Sequence, residues 1–231
     1  MDGSINPLSD AKIVESWKKN AAPWTHAVRG QEIPSRKLVT DRAIIDAVTG
    51  LSPASVLDIG CGEGWLVRAL AELGIQGVGV DVVPELVEQA RRAGGGDFRV
   101  ASYEDIAAGA LEVTVDVAVA NFSLIGENTV ESLLIRLHAL LNTGGSLVIQ
   151  TLHPVTANAA AGLPYMEGWR PGSWAGFSSE FTDPAPWYFR TLEGWVHLLE
   201  RCKWRLHELR EPLHPETRQP ASVIFIARAA G

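Results

Sequence analysis

The sequence predicts a doubly wound α/β domain with a mostly parallel sheet. From residue 50 onward, short runs rich in β-branched residues alternate with helical segments of about 10–15 residues, which is typical of right-handed βαβ crossovers. A glycine-rich turn follows the first strand directly, where open sheets of this class bind ligands. The 231 residues suit one such domain with a modest appendage.

The first half of the predicted sheet has three strands. The strands are 55–59, 77–80 and 98–100, and the helices between them span 63–73 and 84–93. The first strand ends at Gly60 and the second at Asp81, while Pro84 suits the first turn of the helix that follows. This half of the chain therefore predicts three strands that run in the same direction.

The second half of the pattern adds two more parallel strands and a terminal pair. The strands are 113–120, 146–150, 204–209 and 222–228, with helices from 129 to the glycines at 144–145 and over 192–202. Thr129 is the expected cap of the first of these helices. A proline-bearing loop separates the last two strands, which we expect to pair antiparallel.

Two segments interrupt the alternation. Residues 1–49 predict helices at 11–19 and 35–48, and so form an N-terminal helical cap on a domain of residues 50–231. Residues 154–190 hold five prolines and scattered glycines, which favours an insertion after the fifth strand over another βα unit. This insertion is rich in aromatic residues and contains three of the 8 tryptophans of the chain.

Composition excludes several classes of protein. With 20 basic and 27 acidic residues, the net charge of −7 argues against a nucleic-acid surface, which needs clustered Lys and Arg. No apolar run reaches the roughly 18 residues of a membrane span, and no signal-peptide pattern opens the chain. Two cysteines make neither a disulfide framework nor a four-ligand zinc site, so we expect no metal and a cytoplasmic setting. The sequence leaves the oligomeric state open.

The glycine loop after the first strand carries the chemistry. Gly60, Gly62 and Gly64 give the spacing GxGxG, whereas the third glycine of a dinucleotide motif would fall at Trp65. This spacing disfavours a nicotinamide-dependent oxidoreductase. Asp81, at the end of the second strand, can accept hydrogen bonds from both hydroxyls of a ribose. A nucleoside-containing ligand is therefore expected, although a tight turn with no ligand would use the same glycines.

Four segments in this order resemble the motifs of class I S-adenosylmethionine-dependent methyltransferases of the small-molecule type. They are 56–64, 77–81, 116–122 and 140–145, and the resemblance covers about residues 50–152. It implies a seven-stranded, Rossmann-like sheet with an antiparallel final strand and S-adenosylmethionine as the cofactor. It also implies methyl transfer, by in-line displacement, to O, N or C of a small organic acceptor.

The resemblance further implies which residues hold the cofactor. The methionine site of the family corresponds to Asp58, Gly60, Cys61 and Gly62, and its ribose site to Asp81. The adenine site corresponds to Val82, Ser102, Tyr103 and Glu104, and the donor end of the cofactor to Asn121 and Phe122. Ser102 stands where many members carry an acid, so its role is the least typical. Cys61 lies at a helix N-terminus, which predicts a lowered thiol pKa, although the resemblance makes it a small filler.

The catalytic prediction is His153, which directly follows the fifth strand on the rim where an acceptor would enter. A general base is needed only if the attacking atom must lose its proton early, because the sulfonium is already electrophilic. Tyr165, Tyr188 and Asp183 are alternatives, and a purely structural histidine is the competing interpretation.

The aromatic residues of the insertion predict a cover over the acceptor pocket. The expected pocket residues are Trp24, Tyr165, Trp169, Trp174, Trp187 and Tyr188. Acceptor sites are apolar with a few polar groups, which these side chains would supply. The alternative is that the rings simply pack the insertion onto the sheet.

Other functions compatible with the same fold remain open at this stage. They are a tRNA or protein methyltransferase, which the acidic charge balance disfavours, and a non-catalytic cofactor-binding protein.

Overall fold

The computed structural model describes residues 5–230, apart from the side chains of residues 160 and 161. The helices are α1 (Asp10–Lys19), α2 (Ala21–Arg29), a π-helical turn (Arg36–Thr40), α3 (Asp41–Thr49), α4 (Trp65–Ala71), α5 (Pro84–Ala93), α6 (Tyr103–Ala107), α7 (Asn128–Leu137), a 3₁₀ turn (His138–Leu140), α8 (Pro154–Ala161) and α9 (Leu192–Arg201). The strands are β1 (Ser55–Ile59), β2 (Gln76–Asp81), β3 (Asp97–Val100), β4 (Val115–Asn121), β5 (Leu141–Thr151), β6 (Gly168–Arg170), β7 (Trp187–Phe189), β8 (Trp204–Arg210) and β9 (Val223–Ala229). No helix within this described part is both long and apolar enough to cross a bilayer.

Seven strands form one sheet in the order β3-β2-β1-β4-β5-β9-β8. Strands β1 to β5 are parallel, and β9 pairs antiparallel with both β5 and β8. The predicted doubly wound, mostly parallel seven-stranded sheet is thereby confirmed. The strand order reverses between β1 and β4, so the turn after β1 lies at the topological switch point where such sheets bind ligands.

Helices cover both faces of the sheet, which is why the central strands are apolar on both sides. On one face, α3 and α4 pack with β1, β4 and β9 through residues such as Ile44, Leu66 and Val119. On the other face, α7 and α9 pack through Leu133, Leu198 and their neighbours. The two apolar clusters hold the carboxyl ends of the parallel strands in a fixed relation to one another.

The N-terminal region contains one helix more than the sequence predicts. Trp24, expected between two helices, lies inside α2, which begins directly after Asn20 at the end of α1. Pro23 stands in the first turn of α2, where its missing N–H costs no helical hydrogen bond. The predicted helix at 35–48 divides into the π-helical turn and α3.

The fifth strand and the insertion also differ from their predictions. Leu141 pairs with Val115, but the next pair joins Ser146 to Val117, so the residues between form a bulge within β5 instead of a separate turn before it. The insertion follows the fifth strand as predicted, yet it contains α8 and the hairpin of β6 and β7. Backbone hydrogen bonds between distant residues of the insertion form that hairpin, and local patterning does not show them.

The part of the insertion from 174 to 183, here named the strap, is bound to α1. Asp183 forms ion pairs with Lys12 at 2.8 Å and with Lys19 at 2.5 Å, and its backbone oxygen accepts from Ser16. Asn20 exchanges two hydrogen bonds with the backbone of Thr182, at 2.7 and 2.9 Å. The N-terminal helices and the insertion are therefore joined to each other as well as to the sheet.

The N-terminus of α7 is capped by a residue from another helix. The Asp10 carboxylate accepts hydrogen bonds from the backbone N–H groups of Glu127, Asn128 and Thr129 at 2.8, 3.1 and 3.2 Å. No side chain adjacent to α7 caps it, so the predicted cap at Thr129 is wrong. The carboxylate also lies at the positive end of the α7 dipole, where a negative charge is stabilising.

Asp10→Ala is expected to lower the free energy of unfolding by about 1–2 kcal/mol, because three amides at the start of α7 lose their acceptor. Urea unfolding followed by circular dichroism measures the change. Asp46→Ala is the matched control, since Asp46 forms only an exposed ion pair with Arg42 and its loss should change stability by less than about 0.5 kcal/mol. Equal effects of the two substitutions would contradict the capping role.

Candidate active site

The glycine loop connects β1 to α4 through three residues with left-handed backbone angles. Gly60, Gly62 and Gly64 have φ values of +73°, +57° and +82°, which glycine adopts without strain. A Cβ at Gly64 would lie 2.7 Å from the ring of Phe98, so the loop also packs closely on β3. The loop therefore needs glycine for both its backbone conformation and its packing.

Asp58, on β1 just before the loop, is a buried carboxylate that lacks a partner. Its side chain is 2% exposed, and its Oδ1 atom has no hydrogen-bond partner among the described residues. Burial raises the pKa of Asp58 to about 8, and the negative charge of Asp81 adds to the increase. The folded chain thus holds an acid that a positively charged ligand would stabilise in its ionised form.

Asp81, at the end of β2, lies against the glycine loop. Its Oδ2 accepts from the N–H of Gly62 and its Oδ1 from that of Val83, both at 2.9 Å. Burial raises the pKa of Asp81, although the backbone bonds act in the opposite direction. Each carboxylate oxygen retains a second lone pair, so the group can still accept hydrogen bonds from a ligand.

Glu63, inside the loop, is fully buried and doubly paired. Its carboxylate lies 2.8 Å from Nε of Arg29 and 2.6 Å from Nη2 of Arg68. Arg29 belongs to α2 and Arg68 to α4, so this ion triad ties the loop to the N-terminal helices. A charged residue in a turn is typical of the surface, and the sequence offered no sign of this burial.

The residues predicted at the adenine site have different surroundings. The Tyr103 hydroxyl donates to the backbone oxygen of Ser123 at 2.9 Å, and burial raises its pKa. Ser102 caps α6 by accepting from the N–H of Asp105, and Glu104 lies exposed in the first turn of that helix. Val82 packs beside Trp17 and Trp24 in a small apolar cluster.

The loop that leaves β4 carries a strained residue next to the glycine loop. Phe122 has a φ of +55°, which is an outlier for a bulky side chain and is often found at functional sites. Its neighbour Ser123 donates from Oγ to the backbone oxygen of Ile59 at 2.5 Å. Asn121 accepts from Gln150 at 2.7 Å, and Gln150 also donates to the backbone oxygen of Thr40 at 3.1 Å.

Trp24 lies over the glycine loop. Its indole nitrogen would be 3.5 Å from a Cβ placed on Gly62, and its ring packs edge-on against Trp17 with centroids 5.0 Å apart. The rings of Trp174, Phe177 and Phe181 from the strap continue this cluster, with Phe177 6.4 Å from Trp24. The cluster therefore joins the N-terminal helices to the strap above the loop.

The other predicted pocket residues belong to a second aromatic group, on the β6–β7 hairpin. Trp169 packs against Tyr188 with ring centroids 5.7 Å apart, and its indole N–H donates to the Glu127 carboxylate at 2.8 Å. Tyr165 and Trp187 both pack against Phe189. The structure thus divides the six predicted residues into two groups, with Trp24 and Trp174 in the first group and Tyr165, Trp169, Trp187 and Tyr188 in the second.

His153 is buried, although the sequence placed it on an open rim. Its side chain is 4% exposed, and Nε2 lies 2.7 Å from the Glu211 carboxylate, which can only accept. Nε2 therefore carries the proton of this hydrogen bond. The other ring nitrogen, Nδ1, is buried without a partner in the part of the chain that the structure describes.

Two predictions about reactive side chains are corrected. Burial and the charges of Asp58 and Asp81 raise the pKa of the Cys61 thiol, where its helix position predicted a lowered pKa. Asp183, an alternative base, is held by two lysines that lower its pKa, so it suits an ion pair better than proton transfer.

Comparison with known proteins identifies a family. A sequence model described as a methyltransferase domain matches residues 36–204. A ubiquinone biosynthesis O-methyltransferase of Xanthomonas oryzae pv. oryzae is 37% identical over 122 residues, which is 49% of this chain and 49% of that protein. The chain therefore spans about half the length of the curated relatives it matches.

Solved structures share the fold at lower identity. A 1,6-didemethyltoxoflavin-N1-methyltransferase of Burkholderia thailandensis, with bound 1,6-didemethyltoxoflavin and S-adenosylhomocysteine, superposes with a TM-score of 0.67 at 19% identity, over 99% of this chain and 94% of that one. An S-adenosylmethionine-dependent methyltransferase of Mesorhizobium loti superposes with a TM-score of 0.59 at 21% identity, over 79% and 95% of the two chains.

Proposed function

Because the chain belongs to the methyltransferase domain family, we propose that it transfers a methyl group from S-adenosylmethionine to an oxygen atom of a small organic acceptor. The choice of oxygen is supported by the relatives of 37% identity, which are named as O-methyltransferases. The small acceptor is supported by the aromatic hairpin and by the net charge of −7, which suits nucleic acid poorly.

The observation that carries this proposal is the buried Asp58 carboxylate beside the glycine loop. Its Oδ1 lacks any partner among the described residues, and a buried anion is stable only when it is paired. S-adenosylmethionine carries a positively charged ammonium and sulfonium, so it supplies the missing charge. The residues present therefore fit this cofactor.

Each part of the cofactor has a proposed binding residue. Asp58 takes the ammonium, and the backbone of Gly60 and Gly62 lies along the methionine part. Asp81 takes the ribose hydroxyls through the lone pairs that its backbone bonds leave free. Trp24, which lies over the glycine loop, excludes water from this cofactor site. The N-terminal residues 1–49 thus act as a helical cap on the domain of residues 50–231.

The acceptor is proposed to bind beneath the insertion. When bound, S-adenosylmethionine supplies a methyl group on a sulfonium, and the sulfur keeps the electron pair of the broken C–S bond. The acceptor hydroxyl loses its proton as the new C–O bond forms, and the free Nδ1 of His153 is the group proposed to take it. Glu211 orients the ring and stabilises the imidazolium that results.

His153→Ala is expected to lower kcat by about 100-fold, at the low end for a general base because the sulfonium is a strong electrophile. The affinity for S-adenosylhomocysteine should stay unchanged, as measured by calorimetry. His207→Ala, at an exposed position on β8, is the matched control and should keep full activity. An unchanged kcat in His153→Ala would leave His153 with a structural role only.

The experiment that tests the proposed function has two parts. Calorimetry with S-adenosylhomocysteine is expected to give micromolar affinity, and an assay of S-adenosylhomocysteine release should detect turnover with one or more members of a panel of phenols, amines and carboxylates. Binding without turnover on the panel, or on tRNA and protein substrates, would favour a non-catalytic cofactor-binding protein. Turnover on tRNA or protein alone would overturn the proposal that the acceptor is a small molecule. Failure of the wild type to bind S-adenosylhomocysteine would overturn the proposed methyltransferase function itself.

A further inference from the structure

Arg190, directly after β7, is a buried cation that has no acid to pair with. The residue is 7% exposed, and no carboxylate oxygen of residues 5–230 lies within 4.0 Å of its side-chain nitrogens. Nη2 donates to the backbone oxygen of Glu127 at 3.2 Å, and Nη1 is buried with no partner among the described residues. Burial lowers the pKa of Arg190 by more than the surrounding acidic groups raise it.

The acids nearest to Arg190 are engaged elsewhere. Asp10 accepts from the first N–H groups of α7, and the Glu127 carboxylate accepts from the indole of Trp169. Glu167 lies exposed and next to Gly194 at the start of α9. Tyr188 is the fourth titratable group that acts on the guanidinium, and burial raises its pKa, so it remains neutral. None of the four neutralises the cation directly.

Two aromatic rings hold the guanidinium in place. The Arg190 Cζ atom lies 4.9 Å from the ring centre of Tyr188 and 5.1 Å from that of Trp195. Cation–π contacts fix the orientation of a guanidinium and offset part of its desolvation. They leave Nη1 without an acceptor, and a planar guanidinium offers its N–H groups in a fork that matches a carboxylate.

Glu63 shows how the same chain treats a buried charge that has a structural role. That carboxylate is fully buried and receives two guanidinium partners. Asp58 and Arg190 are different, because each is a buried ionisable group with no ion-pair partner among the described residues. The proposed function assigns the partner of Asp58 to a cationic cofactor, and by the same reasoning Arg190 requires an anionic ligand.

Arg190 lies next to the loop that borders the glycine loop. Ser123 of that loop bonds to Ile59 beside the glycines. Two residues later, the backbone oxygen of Ile125 accepts from the N–H of Tyr188 at 2.8 Å, and the next contact is that of Glu127 with Arg190. The loop of residues 123–127 therefore contacts the strand end beside the glycine loop at one of its ends and the guanidinium at the other.

We propose that Arg190 binds a carboxylate of the acceptor, and that the substrate class is small aromatic hydroxy acids. This inference rests on the proposed function, because it names the acceptor of that same site. The carboxylate is the anchor and a ring hydroxyl is the atom methylated. The rings of Trp169 and Tyr188 supply an apolar surface for the aromatic part, while Nη1 and Nη2 bind the acid.

The test compares the binding of 3,4-dihydroxybenzoate and of its amide to the enzyme saturated with S-adenosylhomocysteine. The acid is expected to bind at least about 30-fold more tightly than the amide, because the amide leaves a buried guanidinium unpaired. Arg190→Met, which keeps the volume but removes the charge, should abolish this preference. Tryptophan fluorescence is the readout, since Trp195 and Trp169 lie beside the site.

Arg170→Met is the matched control, because Arg170 lies in the same hairpin, 5.2 Å from the ring of Phe189, and donates only to backbone oxygens. It should keep the full preference for the acid. Arg190→Lys keeps the positive charge without the planar fork, so it should keep part of the preference for the acid over the amide. This variant tests the role of Arg190 if Arg190→Met fails to fold.

A wild-type enzyme that binds the acid no better than the amide, or binds neither, overturns the inference. If Arg190→Met still prefers the acid to the amide, the inference is overturned as well. Arg190 then has only a structural role, through its cation–π contacts. Failure of the wild type to bind S-adenosylhomocysteine counts against the proposed function alone. In that case the same comparison without cofactor still decides the role of Arg190.

Discussion

Asp81→Ala is expected to weaken the binding of S-adenosylhomocysteine by about 10²–10⁴-fold. The two proposed hydrogen bonds between ribose hydroxyls and the Asp81 carboxylate would be lost, each worth about 1.5–3 kcal/mol. The substitution also removes the acceptor of the Gly62 and Val83 N–H groups, so the glycine loop loses one of its hydrogen bonds to β2. Isothermal titration calorimetry measures the change in the dissociation constant.

Two further variants make this result specific. Asp81→Asn keeps one acceptor oxygen and should show an intermediate affinity. Asp97→Ala removes an exposed acid at the start of β3 that pairs only with Arg99, and it should bind as the wild type does. Wild-type affinity in Asp81→Ala, with the variant folded, would place the ribose elsewhere.

Asp58→Asn is expected to change cofactor binding and stability in opposite directions. Loss of the buried anion should weaken S-adenosylhomocysteine binding by about 10²–10³-fold, because the ammonium loses its counterion. The unliganded variant should nevertheless be roughly 1–3 kcal/mol more stable than the wild type at pH 8, since a buried unpaired charge is replaced by a neutral amide. Denaturant unfolding and calorimetry on the same samples measure both effects.

The pH dependence of Asp58 follows from its raised pKa. Its pKa is about 8 in the folded chain, against an ordinary value of 3.8, so its contribution to stability is complete below pH 3.8 and is lost as pH rises through about 8. The stability difference between the variant and the wild type should therefore vanish towards pH 4.

The affinity of the wild type for S-adenosylhomocysteine should rise with pH and level off above about 8, by at most about tenfold per pH unit. The ionised form of Asp58 is the form that binds an ammonium, which explains the direction. Asp58→Asn should show a shallower slope, whereas Asp97→Asn should reproduce the wild-type profile. A slope that is the same in Asp58→Asn would assign the titration to Asp81, whose pKa is also raised.

Much of the fold could be predicted because its determinants are local. Glycine spacing, apolar periodicity and turn residues lie within a few positions of one another along the chain, and they placed the strands 55–59 and 204–209 within a residue of their observed bounds. The exceptions depend on distant partners. The bulge in β5 reflects its pairing with β4, and the β6–β7 hairpin joins segments separated by a long connection.

The residues of the proposed cofactor site lie together as the sequence predicts, whereas those of the proposed acceptor site do not. Asp58, Gly60, Gly62 and Asp81 belong to two consecutive strand ends, and parallel strands bring such ends to the same edge of the sheet. All the predicted pocket residues except Trp24 come from an insertion without regular patterning, and the structure separates the six into two groups. Arg190 gave no signal in the sequence, because an arginine near a helix start is ordinarily exposed.

The amino-acid sequence alone predicts the doubly wound sheet, the glycine loop and the acid near the end of each of the first two strands. These features arise from backbone preferences and from the spacing of residues within short segments of the chain. Which charged side chains are buried, and which of those are paired, depends on the tertiary structure. Glu63 has ion-pair partners on two different helices, whereas Arg190 has no acidic partner among the described residues, because pairing depends on contacts between residues far apart in the chain.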